Sequence, residues 1–140
     1  MRLQNIISLV FILLFLQNCV RKPKQSLTCR DFNFGKFELK NINDNRKYII
    51  TRNQNFQIEE VYNLATNEKI KNDRYYIITW KNDCEYQLKM DTLKSEYDNF
   101  DLQVNSLGGL KNRILKIEGK CAEIETSLEN QTSISKICRQ

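Results

Sequence analysis

From residue 34 to the C-terminus, apolar and polar side chains alternate with a period of two, the pattern of strands that turn one face to a core and the other to water. In Asp98-Asn99-Phe100-Asp101-Leu102-Gln103-Val104-Asn105, residues Phe100, Leu102 and Val104 fall on one face and the polar residues on the other, which predicts a strand. Tyr75-Tyr76-Ile77-Ile78-Thr79-Trp80 is apolar on both faces, as a central strand is. Lys81-Asn82-Asp83 then turns the chain into the alternating run Cys84 to Met90, a hairpin. Further strands are expected at Phe34 to Lys40, Lys47 to Arg52, Phe56 to Tyr62, Arg113 to Glu118, Cys121 to Thr126 and Ser133 to Cys138. Asn43-Asp44-Asn45, Asn53 to Asn55, Thr66 to Glu68 and Gly108-Gly109 punctuate them. Eight or nine short strands without a convincing amphipathic helix predict an all-β antiparallel meander that curls to protect its edges. The expected architecture is a lipocalin-like up-and-down barrel or half-barrel of about eight strands. A two-sheet β-sandwich is the alternative, and residues 57–72 could hold a helical turn instead of a strand.

The N-terminus breaks this pattern. Behind Arg2, the uncharged run from Ile6 to Leu16 is too short for the roughly 20 residues that span a bilayer and fits the apolar region of an export signal. Leu16-Gln17-Asn18-Cys19 places a leucine three residues before a cysteine, as a bacterial lipobox does. Residues 1–18 therefore read as a lipoprotein signal peptide, Cys19 as the lipidation site, residues 19–28 as a basic tether and residues 29–140 as a single β domain. The address implied is the outer membrane or cell envelope, periplasm-facing, with the membrane held through the lipid on Cys19.

Charge agrees with this division. The formal net charge is +5, but Arg2, Arg21, Lys22 and Lys24 all precede residue 25, which leaves 18 basic against 17 acidic residues from there on. In the tether those charges can rest on anionic headgroups, at about 1 kcal/mol each. The near-neutral remainder is not expected to bind nucleic acid.

Five cysteines in an exported chain suggest one acylated and four paired. Four cysteines allow three connectivities. The chosen one joins Cys121 to Cys138, which closes a short local loop, and leaves Cys29 for Cys84.

Two stretches, Cys29-Arg30-Asp31-Phe32-Asn33-Phe34-Gly35-Lys36-Phe37 and Trp80-Lys81-Asn82-Asp83-Cys84-Glu85-Tyr86, carry the motifs C-x-D-F-x-x-G-x-F and W-x-N-D-C-E-Y. In both the chain resembles a family of small Bacteroidota lipoproteins of unknown function, over the mature domain up to about Met90. The resemblance supports pairing Cys29 with Cys84 and supplies no catalytic residues. Some members of that family carry a DNA topoisomerase IV label. A small exported domain has none of the size, ATP-driven machinery or metal centre that strand passage needs.

The chain has no histidine, and with it goes the commonest general base and metal ligand. No cysteine cluster or CxxC spacing suggests a metal, and no cofactor is expected. Carboxylate pairs remain at Glu59 and Glu60, Asp83 and Glu85, and Glu123 and Glu125, but polar pairs are what a solvated strand face carries. Gly108-Gly109 lacks the spacing of a phosphate loop, and Asn130-Gln131-Thr132 matches a glycosylation sequon that a bacterial lipoprotein would not normally use. The aromatic residues either fill the barrel or line a cavity. If a ligand site exists, alternation places it at Tyr76, Trp80 and Phe100. The expected protein is thus a non-enzymatic envelope lipoprotein that binds an unknown protein, such as a hydrolase of the lysozyme type that it inhibits, or a small apolar ligand that it carries.

If Cys19 is the acylated residue, Cys19→Ala abolishes metabolic lipid labelling and releases or mislocalises the domain. Labelling that persists in the variant, or a mature N-terminus far from residue 19, would refute the assignment.

Overall fold

The computed structural model describes residues 26–140. The signal peptide, Cys19 and most of the tether expected from the sequence lie outside the described residues. Alternating side chains with short polar turns give eight strands: β1 (Gly35–Asn41), β2 (Arg46–Arg52), β3 (Phe56–Asn63), β4 (Arg74–Asn82), β5 (Glu85–Met90), β6 (Leu110–Glu118), β7 (Cys121–Leu128) and β8 (Gln131–Arg139). Each pairs antiparallel with the next and β8 pairs back onto β1, so the sheet closes as an up-and-down barrel, like a lipocalin in strand number and order. Closure, rather than the alternative sandwich or an open half-barrel, removes the edges. The seam is short, matching only Phe37, Glu38 and Leu39 to Arg139, Cys138 and Ile137. Residues 57–72 contain most of β3 and the loop after it, not the helical turn allowed for.

The two ends of the barrel differ. At one end the connections are the short turns 53–55, 83–84 and 119–120. A 3₁₀ turn, Cys29–Phe32, crosses this end and inserts Phe32, fully buried, against Phe37 with ring centroids 5.6 Å apart. The Asp31 carboxylate holds the start of the turn, accepting from the Thr28 backbone N–H at 2.8 Å and from its hydroxyl at 2.9 Å. Cys29 is bonded to Cys84 in the β4–β5 turn, and Cys121 to Cys138 directly across β7 and β8, the pairing expected. Phe32, Phe37, Ile50, Ile114, Ala122, Ile124 and Ile137 form the core behind this floor. A second cluster of Tyr76, Ile78, Tyr86, Leu88 and Met90 fills the opposite wall.

At the other end, the mouth, two long connections emerge: residues 64–73 between β3 and β4, and residues 91–109 between β5 and β6. The second contains a helix, α1 (Asn99–Ser106). This corrects the strand expected over Asp98 to Asn105. Its alternation is real, but Asp98 is an N-cap whose side chain accepts from the Asp101 backbone N–H while the Asp101 side chain accepts from that of Asp98, a reciprocal start signal that overrides a weak period of two. Only Val104 of the expected apolar face is buried, and Phe100 is 62 % exposed. Gly108 and Gly109 then turn the chain into β6 with φ of +96° and +93°. A Cβ on Gly109 would stand 2.3 Å from the Leu88 carbonyl oxygen, so no other residue fits there.

The two phenylalanines give a direct test in chemical denaturation. Phe32→Ala should cost about 3–5 kcal/mol and Phe100→Ala no more than about 0.5 kcal/mol. A core-sized loss for Phe100→Ala would restore it to an inward strand.

Candidate functional site

Cross-strand register fixes which side chains enter the barrel. Arg52 stands opposite Gln57, Gln57 opposite Tyr76, and Trp80 opposite Tyr86, so these share the inner surface with Ile50, Glu59, Arg74 and Ile78. The structure therefore brings Tyr76 and Trp80 together inside, as the sequence suggested, and places Phe100 apart from them on α1 at the rim. Trp80 packs on Tyr86 at 4.7 Å between ring centroids, and its buried indole Nε1–H has no acceptor among the described residues.

What sequence reasoning missed is how polar the interior is. Arg52 is 3 % exposed. Its Nε donates to Gln57 Oε1 at 2.8 Å, Nη1 to the Phe32 carbonyl at 2.9 Å and Nη2 to the Tyr86 hydroxyl at 2.9 Å. Gln57 in turn donates to Glu59 at 2.7 Å. Towards the mouth, Arg74 pairs with Asp101 of α1. The signal was present: Arg52 is in phase with Tyr48 and Ile50, and Arg74 with Tyr76 and Ile78. Charged residues at inward positions of an alternating run mark a polar interior.

Burial pushes the Glu59 carboxyl above its ordinary value, although Gln57, Arg74, Arg52 and Tyr76 all favour its charged form. Part of the residue's surface remains accessible, but its carboxylate sits within this network. Burial, with Glu59 adding to it, raises the Tyr76 hydroxyl well above the usual phenol range.

Concavities open on the surface formed by the described residues. The mouth groove, about 710 Å³, lies between the two long connections and is lined by Lys69, Ile70, Asp73, Arg74, Tyr97 and Asp101 among others. Lys69 to Asp73 at 2.6 Å and Asn72 to Glu96 at 2.8 Å hold its walls. A second concavity of about 610 Å³ runs across β4 to β7 past Thr79, Gln87, Lys111 and Ser127. Within it Lys81 pairs with Glu85 at 3.2 Å and Arg113 with Glu125 at 2.8 Å. Glu123 stands opposite Lys136, while Glu59 points inward and Glu60, on the outer face, accepts from the Tyr62 hydroxyl. These carboxylate pairs do not face one another across a cleft. Among the described residues, no group of three or more acidic or cysteine side chains is placed to hold a metal.

No protein-family model, no curated protein and no solved structure matches the chain. The two motifs noted in the sequence nevertheless meet in space. The rings of Phe37, Trp80 and Tyr86 lie against the Arg52 guanidinium, the Phe32 carbonyl accepts from it, and the Cys29–Cys84 bond joins the two stretches. They build the floor.

Because the folded-state value of Glu59 lies above the ordinary 4.5, the fold favours its protonated form. Its contribution to stability is complete below the ordinary value and is lost as pH rises through the folded value. Glu59→Gln should flatten this part of the pH–stability curve and gain on the wild type as pH rises. Denaturant titrations from pH 4 upward that show a constant difference between the two proteins would refute it.

Proposed function

We propose that the protein is a non-enzymatic lipoprotein of the cell envelope, anchored through Cys19, whose barrel binds a partner protein with its mouth. The observation that carries this reading is where exposed apolar side chains lie. Of the twelve large ones among the described residues, Ile42, Ile70, Leu93, Tyr97, Phe100, Leu102 and Leu107 sit on mouth connections, with Leu93 95 % exposed. Clusters of this kind mark interaction sites, and loops on a rigid scaffold are where binding residues concentrate.

Orientation adds support. Leu27 packs against the floor core. A lipid on Cys19 stands seven residues before Ser26, a reach of about 25 Å at most. The floor therefore faces the membrane and the mouth points away from it, towards soluble partners such as an envelope hydrolase. A carrier of a small apolar ligand is the second reading. The mouth groove favours it, but the packed interior around Tyr76, Trp80 and Tyr86 does not.

The test combines Leu93→Ser with Phe100→Ser and compares envelope cross-linking with that of a floor variant, Lys120→Glu. The mouth variant should lose at least about tenfold in cross-linked partner, as hot-spot residues do, and the floor variant should lose nothing. Cross-links indifferent to the mouth would remove the proposal. A small molecule retained in native mass spectrometry would favour the carrier.

A further inference from the structure

Arg52 is a buried cation without an ion-pair partner among the described residues. Its three hydrogen bonds go to an amide oxygen, a main-chain carbonyl and a phenol, all neutral. A guanidinium has five N–H donors, so one hydrogen on each terminal nitrogen is left over. The rings of Tyr86, Phe37 and Trp80, with centroids 4.5, 5.4 and 5.8 Å from its central carbon, offset part of the burial cost. Cation–π contacts of this kind return only part of what taking a charge out of water costs.

Nearby charges do not complete the balance. Glu59 makes no ion pair with Arg52 and is joined to it by hydrogen bonds only through Gln57, and the Asp31 carboxylate accepts instead from the backbone N–H and hydroxyl of Thr28. Arg139 adds a second cation at the same end, held by the Asp31 carbonyl with its central carbon 5.9 Å from the Phe37 ring. The Trp80 indole, whose ring is among those beside Arg52, contributes a buried donor with no acceptor among the described residues. Among the described residues, the floor thus gathers unused donors beside a buried cation that has no ion-pair partner.

We propose that the barrel floor binds a small monovalent anion, a halide or a formate-sized carboxylate, between the Arg52 guanidinium and the Trp80 indole N–H. The anion supplies the missing acceptor for both groups and neutralises the buried charge. This site lies at the end opposite the mouth and is independent of what the mouth binds.

Trp80 is the chain's one tryptophan, so its emission reports on the site alone. The full chain in nonionic detergent is titrated with chloride, and separately with formate, gluconate holding the ionic strength at about 0.3 M so that general screening is constant. Tm should rise with anion concentration and the Trp80 emission should shift with the same midpoint. Response to chloride alone identifies a spherical-ion site, and response to formate as well a site that also accepts small carboxylates. Trp80→Phe keeps an aromatic side chain and removes the donor, and should move the Tm midpoint about tenfold higher. Arg52→Met should abolish the dependence. If Arg52→Met fails to fold, the wild-type and Trp80→Phe titrations decide between them. Flat Tm and emission in both anions, or the same midpoint in Trp80→Phe as in the wild type, would overturn the proposal.

Discussion

One side chain ties the fold together: the Arg52 guanidinium, held where β2, β3, β5 and the N-terminal turn converge. A guanidinium is a rigid planar fork, so its acceptors must stand at fixed directions from it. Gln57 can meet it only if β2 and β3 pair in the observed register, and the Phe32 carbonyl only if the 3₁₀ turn crosses the floor where it does. A one-residue slip of β3 would turn Gln57 outward and leave a buried charge without its acceptor. Hydrophobic packing would tolerate several arrangements of similar volume, and this cation does not. Lysine, a point charge on a flexible stem, would not impose the same geometry.

Rigidity in the molecule is correspondingly uneven. Both disulfides lie at the floor, closing loops of 55 and 17 residues. On the chain-entropy model these contribute about 4 and 3 kcal/mol, on the scale of a small domain's whole stability. The C-terminus is sewn into the same end, with the Gln140 N–H donating to the Lys36 carbonyl. At the mouth, by contrast, α1 rests on buried Val104, the Asp101–Arg74 pair and the two hydrogen bonds of Asn105 to the Met90 backbone. Segments with few buried apolar groups open at lower free energy than the core. A fixed floor and lightly held mouth connections suit the binding at the mouth proposed above.

Most of this fold was legible because a period of two with polar turns admits few readings, and eight of the nine expected strands form within a few residues of their expected bounds. The ninth failed for a local reason. Asp98 and Asp101 compete for the same backbone as the alternation does, and two reciprocal hydrogen bonds at the start of a helix outweigh three apolar residues that have no core to face. The error carried Phe100 into the wrong environment, so one of three expected ligand residues lies at the rim. Tyr76 and Trp80 do face the interior, because β4 is fixed by neighbours on both sides. The polar interior was harder to see. In β3 both alternating phases contain a glutamate, Glu59 in one and Glu60 in the other, so hydrophobicity alone does not say which faces the core. Only the register with Arg52 and Tyr76 decides it.

That interior also bears on how the domain can act. Tyr86, Arg52, Gln57 and Glu59 form a hydrogen-bonded chain that leads from the floor towards the wall where Arg74 reaches Asp101 of α1. An apolar guest entering the barrel would separate these groups without replacing their partners, and each donor or acceptor left unpaired costs about 1–3 kcal/mol. A surface partner that settles on the rim meets no such penalty. It covers Leu93, Tyr97 and Phe100, which water already surrounds, and gains from removing them from it. The balance of these two terms, more than the fold itself, favours recognition at the mouth over transport through the interior.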